Sequence, residues 1–599
     1  MYWRGQSVVS RWWPLYCGVC HGTVASMFID TVPNRGSPPA VLLRESWREG
    51  PRTRKRTIAN LSDWPAHKVV TLRRVLRDEP LVAPDALFTV DRSVPHGHVE
   101  AVLQAIRHLG LETLIASKRS RERDLVLGLI VERILQPRSK LATTRLWQTT
   151  TLGETLGVAD ADVDEVYGAL DWLLARQPAI QRTLAARHLH DDGVALYDVS
   201  SSYYEGHTCP LARFGHDRDG HTGRPIIVYG LLTDGEGRPV AVDVYPGNTG
   251  DPTTVPDQVT HLRTDFGIAR LVLVGDRGLL TEVQLHRLGA TPGLGWISAL
   301  RSPAIRTLLA NGTLQRSLFD EQDLAEITTP AYPGERLIAC FNPLLADERR
   351  RKREELLQAT ERALTTIATA AARRTKTPFD DATLGLKVGR VINHFKMAKH
   401  FQITITHGRL TWARKTAAIE HEQQLDGIYV IRTSEPAERL TAADAVRQYK
   451  GLAQVERAFR CLKGLDVRVR PIYHRTEDHV RAHIFLCCLA YYVEWHLRRV
   501  WASLLFEDES LPHDRHIRPP VAPAHPSAAA RQKKITRQTP DGLTVQSLET
   551  LFATLAMRCE VTCRLRVDPT APPIRQWTTP TSLQARALAL VARVQDAEA

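Results

Sequence analysis

Two stretches of the chain share one hydrophobic plan. In Gly193–Ser202, GVALYDVSSS, the apolar and aromatic run Val194–Tyr197 is interrupted by Asp198, and three serines follow Val199. In Ala269–Gly278, ARLVLVGDRG, the run Leu271–Val274 leads through Gly275 to Asp276. A short apolar run closed by one carboxylate and turn residues predicts a buried strand that delivers the carboxylate to the edge of a sheet. The same patterning predicts strands over Val194–Val199, Pro225–Leu232, Pro239–Tyr245, Ala269–Val274 and Gly295–Leu300. It predicts helices over Asp251–Arg263, opened by the Asp251-Pro252 pair, and over Thr281–Leu288.

Three strands in succession, joined by short turns such as Asp234-Gly-Glu-Gly237, are followed by helix and strand in alternation. That α/β order resembles an RNase H-like mixed sheet rather than the steady alternation of a Rossmann fold. It is then interrupted. Residues 302–426 hold a long charged helix, Ala346–Arg374, and a hairpin, Phe401–Trp412, and read as a large insertion after the fifth strand. The strand Ile428–Thr433, the helix Ala442–Lys463 and the largely apolar helix Arg475–Trp501 return to the core, which spans 191–301 and 427–505. Upstream, Val41–Trp47 and Arg52–Ile58 predict a hairpin whose return strand carries Arg52, Arg54, Lys55 and Arg56. Residues 66–190 are mostly helical by period, Leu125–Leu135 and Val163–Leu184 most clearly, so 27–190 reads as a basic hairpin with a mainly helical domain. Residues 1–26 show no period and read as poorly ordered, or as lying ahead of a natural start at Met27. Within the C-terminal stretch 506–599, residues 510–542 are rich in Pro, Ala, Arg and Lys and predict a mobile basic tail, with a short helix, Ser547–Met557, behind it.

Composition alters this picture in a few respects. At 599 residues, 43% hydrophobic and 24% charged, the chain has the make-up of an ordinary multidomain globular protein. The net charge of +13 and pI near 9.4 favour a polyanionic partner, most simply nucleic acid, over the plain alternative of a well-solvated basic surface. Nine scattered cysteines argue for reduced thiols in a cytoplasmic protein. Cys17-Gly-Val-Cys20, beside His21, is a lone CxxC with no second ligand pair near it, so it reads as adventitious spacing. The best membrane candidate, Ile484–Val493, has about half of the roughly 20 residues a span needs, and no membrane partner is expected.

A third carboxylate, Glu456, lies far downstream. At 100° per residue, Leu452, Glu456 and Lys463 fall at about 300°, 340° and 320° relative to Tyr449, all on one helix face. Leu452, Val455, Phe459 and Leu462 form an apolar stripe that partly overlaps it. The helix can therefore pack on a sheet while holding Glu456 and Lys463 along the seam. Taken singly, each acid has an ordinary role: aspartates at strand ends cap turns, and a glutamate beside an apolar stripe is solvated. Two aspartates in matching positions on core strands, with a glutamate on such a helix, read together as one metal site. His207, His216 and His221 lack ligand spacing and read as loop residues.

The segment Tyr449-Lys-Gly-Leu-Ala-Gln-Val-Glu456-Arg-Ala-Phe-Arg-Cys-Leu-Lys463 resembles the Tyr-x2-Arg-x3-Glu-x6-Lys signature of bacterial insertion-sequence DDE transposases of the insertion-sequence-four type, with Leu452 where the signature has Arg. The Asp198 strand, Gly247-Asn-Thr-Gly-Asp251, Gly275-Asp-Arg-Gly278, Arg470-Pro-Ile-Tyr-His474 and Ala482-His-Ile484 are similar to that family as well. The resemblance implies an RNase H-like core with Asp198, Asp276 and Glu456 as an acidic triad holding two Mg²⁺ (or Mn²⁺) ions. It also implies an insertion ahead of the glutamate helix and a DNA-binding N-terminal region. Tyr449 and Lys463 are then contacts to DNA near the cleaved end. Lys450, Arg457 or Arg460 can supply the phosphate contact that Leu452 lacks, and Trp412 can stack on a flipped base, its alternative role being packing. The implied activity is cleavage of the element's terminal inverted repeats and strand transfer to target DNA, by a homodimer in a synaptic complex, in a cytoplasmic, nucleoid-associated protein. A nuclease of the same fold without strand transfer, and a DNA-binding descendant without catalysis, are the alternatives.

Overall fold

The computed structural model describes residues 26–79, 87–320, 322–566 and 568–594. The expectations for the first 25 residues, including the CxxC at Cys17 and Cys20, lie outside the described residues. Backbone contacts divide the chain into two compact units.

The smaller unit comprises 1–92 and 562–576. It is built on an antiparallel three-stranded sheet, Ser26–Asn34, Ser37–Glu49 and Arg52–Asn60. The expected hairpin is thus extended by a first strand that sequence patterning did not single out. Gly36 and Gly50 turn the strands at positive φ, +86° and +62°, a region open to glycine without a Cβ clash. The basic return strand is exposed along nearly its whole length, and Arg54 and Arg56 pair with Glu49 and Glu45.

The larger unit holds an eight-stranded mixed sheet. Its strands in chain order are β1 (Gly193–Tyr203), β2 (Ile226–Asp234), β3 (Pro239–Pro246), β4 (Leu271–Val274), β5 (Leu294–Ala299), β6 (Leu324–Ile327), β7 (Arg336–Phe341) and β8 (Ile428–Thr433). Their spatial order is β6-β7-β8-β5-β4-β1-β2-β3. β1, β2 and β3 are antiparallel neighbours, β4 and β5 run parallel to β1, and β8, β7 and β6 extend the sheet antiparallel. β2 is buried at every position and β4 likewise, as continuous apolar strands in the middle of a covered sheet should be.

Two expectations are corrected by this sheet. The stretch 302–426 is not wholly apart from it, because β6 and β7 come from that stretch and join its far edge. What stands off as a separate layer begins at the helix Pro343–Arg373, which packs with Asp381–Phe395 and the hairpin Phe401–Thr406/Arg409–Arg414 around its own apolar cluster. The single helix expected over Ala442–Lys463 is two, α1 (Ala442–Lys450) and α2 (Leu452–Lys463). At Gly451 the amide is shared between the carbonyls of Arg447 and Gln448, so the ladder shifts register there. A Cβ at 451 would meet the Gln448 carbonyl oxygen at 2.7 Å, with the Leu196 methyls of β1 at 3.6 Å.

The segment 510–542 is also a correction. It carries the helices Leu511–Ile517 and Ala528–Thr536, and Val521 is buried in the main core. Its buried lysine finds partners in the fold: Lys533 Nζ donates to the Ala502 carbonyl at 2.7 Å and pairs with Glu509. Behind the sheet the long apolar helix α3 (Glu477–Val500) packs on the helices Arg121–Leu135 and Val163–Leu174. No helix among the described residues is long and apolar enough to cross a membrane.

Candidate active site

The register of β1 against β4 brings the two aspartates together. Leu196 pairs with Val274 in the parallel ladder, and Asp198 and Asp276 each stand two residues further along. Neighbouring strands lie about 4.8 Å apart, so the two carboxylates emerge side by side at one end of the sheet. Asp276 has left the strand and accepts hydrogen bonds from the amides of Gly278 (2.9 Å) and Leu279 (2.7 Å), both on Oδ1. The turn-capping role expected of a strand-end aspartate is therefore present, but it uses one oxygen. A Cβ at Gly278 would lie 3.3 Å from the other, Oδ2, so glycine there keeps that oxygen uncrowded.

Helix α2 delivers the third acid. Leu452, Val455, Ala458, Phe459, Cys461 and Leu462 are buried as it lies across β1, while Glu456 is exposed at the seam. Its charge is felt by Asp198. Burial raises the Asp198 carboxyl to about 7, and the charges of Asp276 and Glu456 push the same way. The Asp198 side chain caps the next amide, Val199 N, at 2.8 Å. One cation opposes this crowding, Arg218, from the loop between β1 and β2. Arg218 is itself held by a short ion pair to Asp251, the last residue of the Gly247–Asp251 motif.

Sequence patterning reads 213–224 as a loop rich in Gly, His and Asp and does not single out His216-Asp-Arg-Asp-Gly220 within it. This run supplies Arg218 to the aspartates and Asp219 to the basic side chains beyond them. The density of charge in five residues was the available signal.

The remaining candidates are placed as follows. Tyr449 closes α1 next to Asp276 and Glu456; burial, followed by the Asp276 charge, pushes its phenol up to about 12. Leu452 is buried in the core. The Lys450 ammonium donates to the carbonyls of Val521 (3.1 Å) and its neighbours Pro520 and Ala522. Arg457 pairs with Glu507 at 2.8 Å, while Arg460 is exposed. Lys463 sits at the end of α2 and pairs with the buried Asp219 at 2.9 Å. Trp412 lies half-buried on the hairpin and packs against the apolar cluster of the insertion. Three of the basic candidates thus hold internal partners in this structure.

Among the described residues, one trio of His, Cys, Asp or Glu has donor atoms all within 4.8 Å of one another: Cys461, Asp466 and Glu494. Arg498 fills it, paired with Glu494 at 2.6 Å and Asp466 at 3.0 Å. Asp198, Asp276 and Glu456 have no ion-pair partner among the described residues, Arg218 acting on Asp198 without pairing to it.

A family model described as the transposase DDE domain matches residues 190–493, just over half of the chain and the whole span from β1 into α3. No curated protein matches the chain. Among solved structures, the cryo-EM structure of the piggyBac transposase synaptic complex with hairpin DNA is similar at a TM-score of 0.33 and 9% identity, over 77% of each chain. With the family model spanning the sheet, the carboxylates at its end and the helix that crosses it, the chain belongs to the transposase DDE domain family.

Proposed function

We propose that this chain is a DNA transposase of the insertion-sequence-four type. It cleaves the terminal inverted repeats of its own element and joins them to target DNA, with an RNase H-like core as the catalytic unit. The observation that carries the reading is the convergence of Asp198 and Asp276, in matching register on parallel strands, with the Glu456 charge brought over them by α2. Asp198, Asp276 and Glu456 are all oxygen donors, the set a hard divalent ion such as Mg²⁺ or Mn²⁺ prefers. Two such ions would be held by these three side chains, as in other two-metal phosphodiester sites. Bound there, such a pair supplies a nucleophilic oxygen and stabilises the charge that develops on the leaving oxygen.

The chain's own residues do the rest. Asp198 is fixed by its bond to the Val199 amide and Asp276 by the turn it caps, so both carboxylates are held before DNA arrives. Glu456 is carried on a helix that packs across β1 and buries six of its side chains. In cleavage, a water oxygen forms a bond to phosphorus and the bond to the 3′-oxygen breaks, leaving a 3′-hydroxyl and a 5′-phosphate. In transfer, that hydroxyl attacks a target phosphodiester in the same site, and the target's own 3′-oxygen leaves. Atoms balance in both steps without a covalent protein intermediate. Two ends must be processed together, so a homodimer is the functional assembly.

A labelled duplex carrying the DNA that borders the reading frame, incubated with Mg²⁺, tests the proposal. Wild type nicks it and Asp198→Ala does not; equal cleavage by both sinks the reading. A pre-cut end offered with a plasmid then yields joined product, which a simple nuclease of this fold does not make.

A further inference from the structure

Beyond the carboxylates, a cavity of about 610 Å³ opens where the helix Arg121–Leu135, the start of the helix Lys140–Leu146 and the end of α2 meet. Its wall carries Arg133, Arg138, Lys140, Lys463, Arg468 and Arg470 and no carboxylate. Two of these cations are inside the protein. Lys140 is 4% exposed and Arg133 7% exposed. Lys140 has no hydrogen-bond or ion-pair partner among the described residues. The Arg133 guanidinium reaches two backbone carbonyls at long range, Arg468 at 3.4 Å and Arg138 at 3.5 Å, and no acid. The nearby acid, Asp219, is already taken by Lys463 (2.9 Å) and Arg470 (2.6 Å).

Buried cations in folded proteins are paired, because stripping water from an isolated charge is costly. Here two lie together without a counter-ion, facing a cavity. Burial, followed by the adjacent Arg133 charge, lowers the Lys140 ammonium to about 7. Both effects are relieved by an anion between the two side chains. We propose that this cavity is a phosphate site, with Lys140 and Arg133 as its floor, and that it seats a backbone phosphate of a DNA strand a few nucleotides from the bond being cut.

The assignment to DNA rests on the proposed function and on two rulers built into the fold. Lys463 at the cavity follows Glu456 by seven residues on α2, a rise of about 10 Å. Tyr203 at the cavity follows Asp198 by five residues on β1, about 16 Å. At about 3.4 Å per nucleotide along one strand, these distances span roughly three to five nucleotides. A strand lying across the carboxylates therefore reaches the cavity with its backbone.

The test is binding of a fluorescent, mixed-sequence duplex of about 40 base pairs by the full chain, without divalent ion and across a salt series. Lys140→Met keeps the length of the side chain and removes the charge. The expected result is a melting temperature that holds or rises, an affinity about tenfold weaker, and a slope of log affinity against log salt smaller by about 1. Arg138→Ala, on the exposed rim, moves the same two readouts in the same direction and serves if Lys140→Met fails to fold. Unchanged affinity and slope in the folded variants overturn the proposal. So does a result in which millimolar inorganic phosphate raises the wild-type melting temperature but not that of Lys140→Met, while DNA binding is unaffected: the cavity then takes a free anion. Because no metal is present, failure here is separate from failure of the carboxylate triad, which shows as lost nicking with binding intact.

Discussion

Two regions of the larger unit treat charge in opposite ways. Towards the far edge of the sheet and the insertion beyond it, two buried arginines are answered by acids. Arg432 on β8, nearly enclosed, is gripped by Glu335 and Glu282, each at 2.5 Å. Arg353 on the long insertion helix forms a two-pronged pair with Asp426, at 3.0 and 2.5 Å, with both side chains buried. In the other region Asp198 is crowded by two more carboxylates, and a single arginine opposes them. At the cavity by the end of α2, Lys140 and Arg133 lie buried with no acid paired to either among the described residues. Where charge serves as support the fold neutralises it internally. Where it is left unmatched, negative in one place and positive in the next, the metal ions and the DNA phosphate proposed above are its complement.

The sharpest way to break that contrast is to remove charge in each region and compare. Asp198→Asn is expected to lower nicking by about 10³-fold or more, the loss of several kcal/mol of transition-state stabilisation. The melting temperature of the metal-free protein should hold or rise, since repulsion is relieved. A marked drop in melting temperature would place Asp198 with the supporting charges instead. The opposite pattern is expected at the paired arginines. Asp426→Ala strands Arg353 and should cost about 3–5 kcal/mol in denaturant unfolding. Replacing both partners, Arg353→Met with Asp426→Leu, should recover most of that loss; if it does not, the pair is more than a neutralised support.

A milder case lies between them. Hydrogen bonding to Asp243, then to Asp265, raises His261 to about 9. The folded state thus prefers the protonated ring more than the unfolded chain does, so this contribution is full below pH 6.5 and is lost as pH rises towards 9. The ring is partly exposed, which screens the effect to about 1 kcal/mol. His261→Gln should therefore narrow the stability gap between pH 6 and pH 9.5 by about that amount. An equal gap in both proteins would remove His261 from the paired set.

Much of this arrangement could be read from the chain because the central strands are buried on both faces. Continuous apolar runs at 194–197 and 271–274, each closed by an aspartate, leave few alternatives. The stripe Leu452, Val455, Phe459 and Leu462 likewise lies against the sheet. What escaped was decided by tertiary partners that no local pattern encodes. Leu324–Ile327 and Arg336–Phe341 are short and lie among charges, so their place in the sheet was hidden. Arg218 and Asp219 read only as part of a loop, and the fold sets them between the aspartates and Lys463. Lys140, a lysine just after a proline and a serine, has nothing in its neighbourhood to announce that it is enclosed. The segment 510–542 has the composition of a loose tail, and its tertiary contacts show why it is held, among them the Lys450 ammonium seated on the carbonyls of Pro520, Val521 and Ala522 and Lys533 on that of Ala502.

That last contact bears on how degraded relatives of such genes are judged. The hinge beneath the glutamate helix is braced by a ribbon encoded some seventy residues later, and the Trp501 indole is satisfied by the carbonyl of Ala587, later still. A frameshift after the final motif would therefore spare every recognisable signature and still strip out part of the scaffold. Intact motifs in a shortened reading frame are evidence of ancestry, and the missing C-terminal hundred residues decide whether anything folds around them.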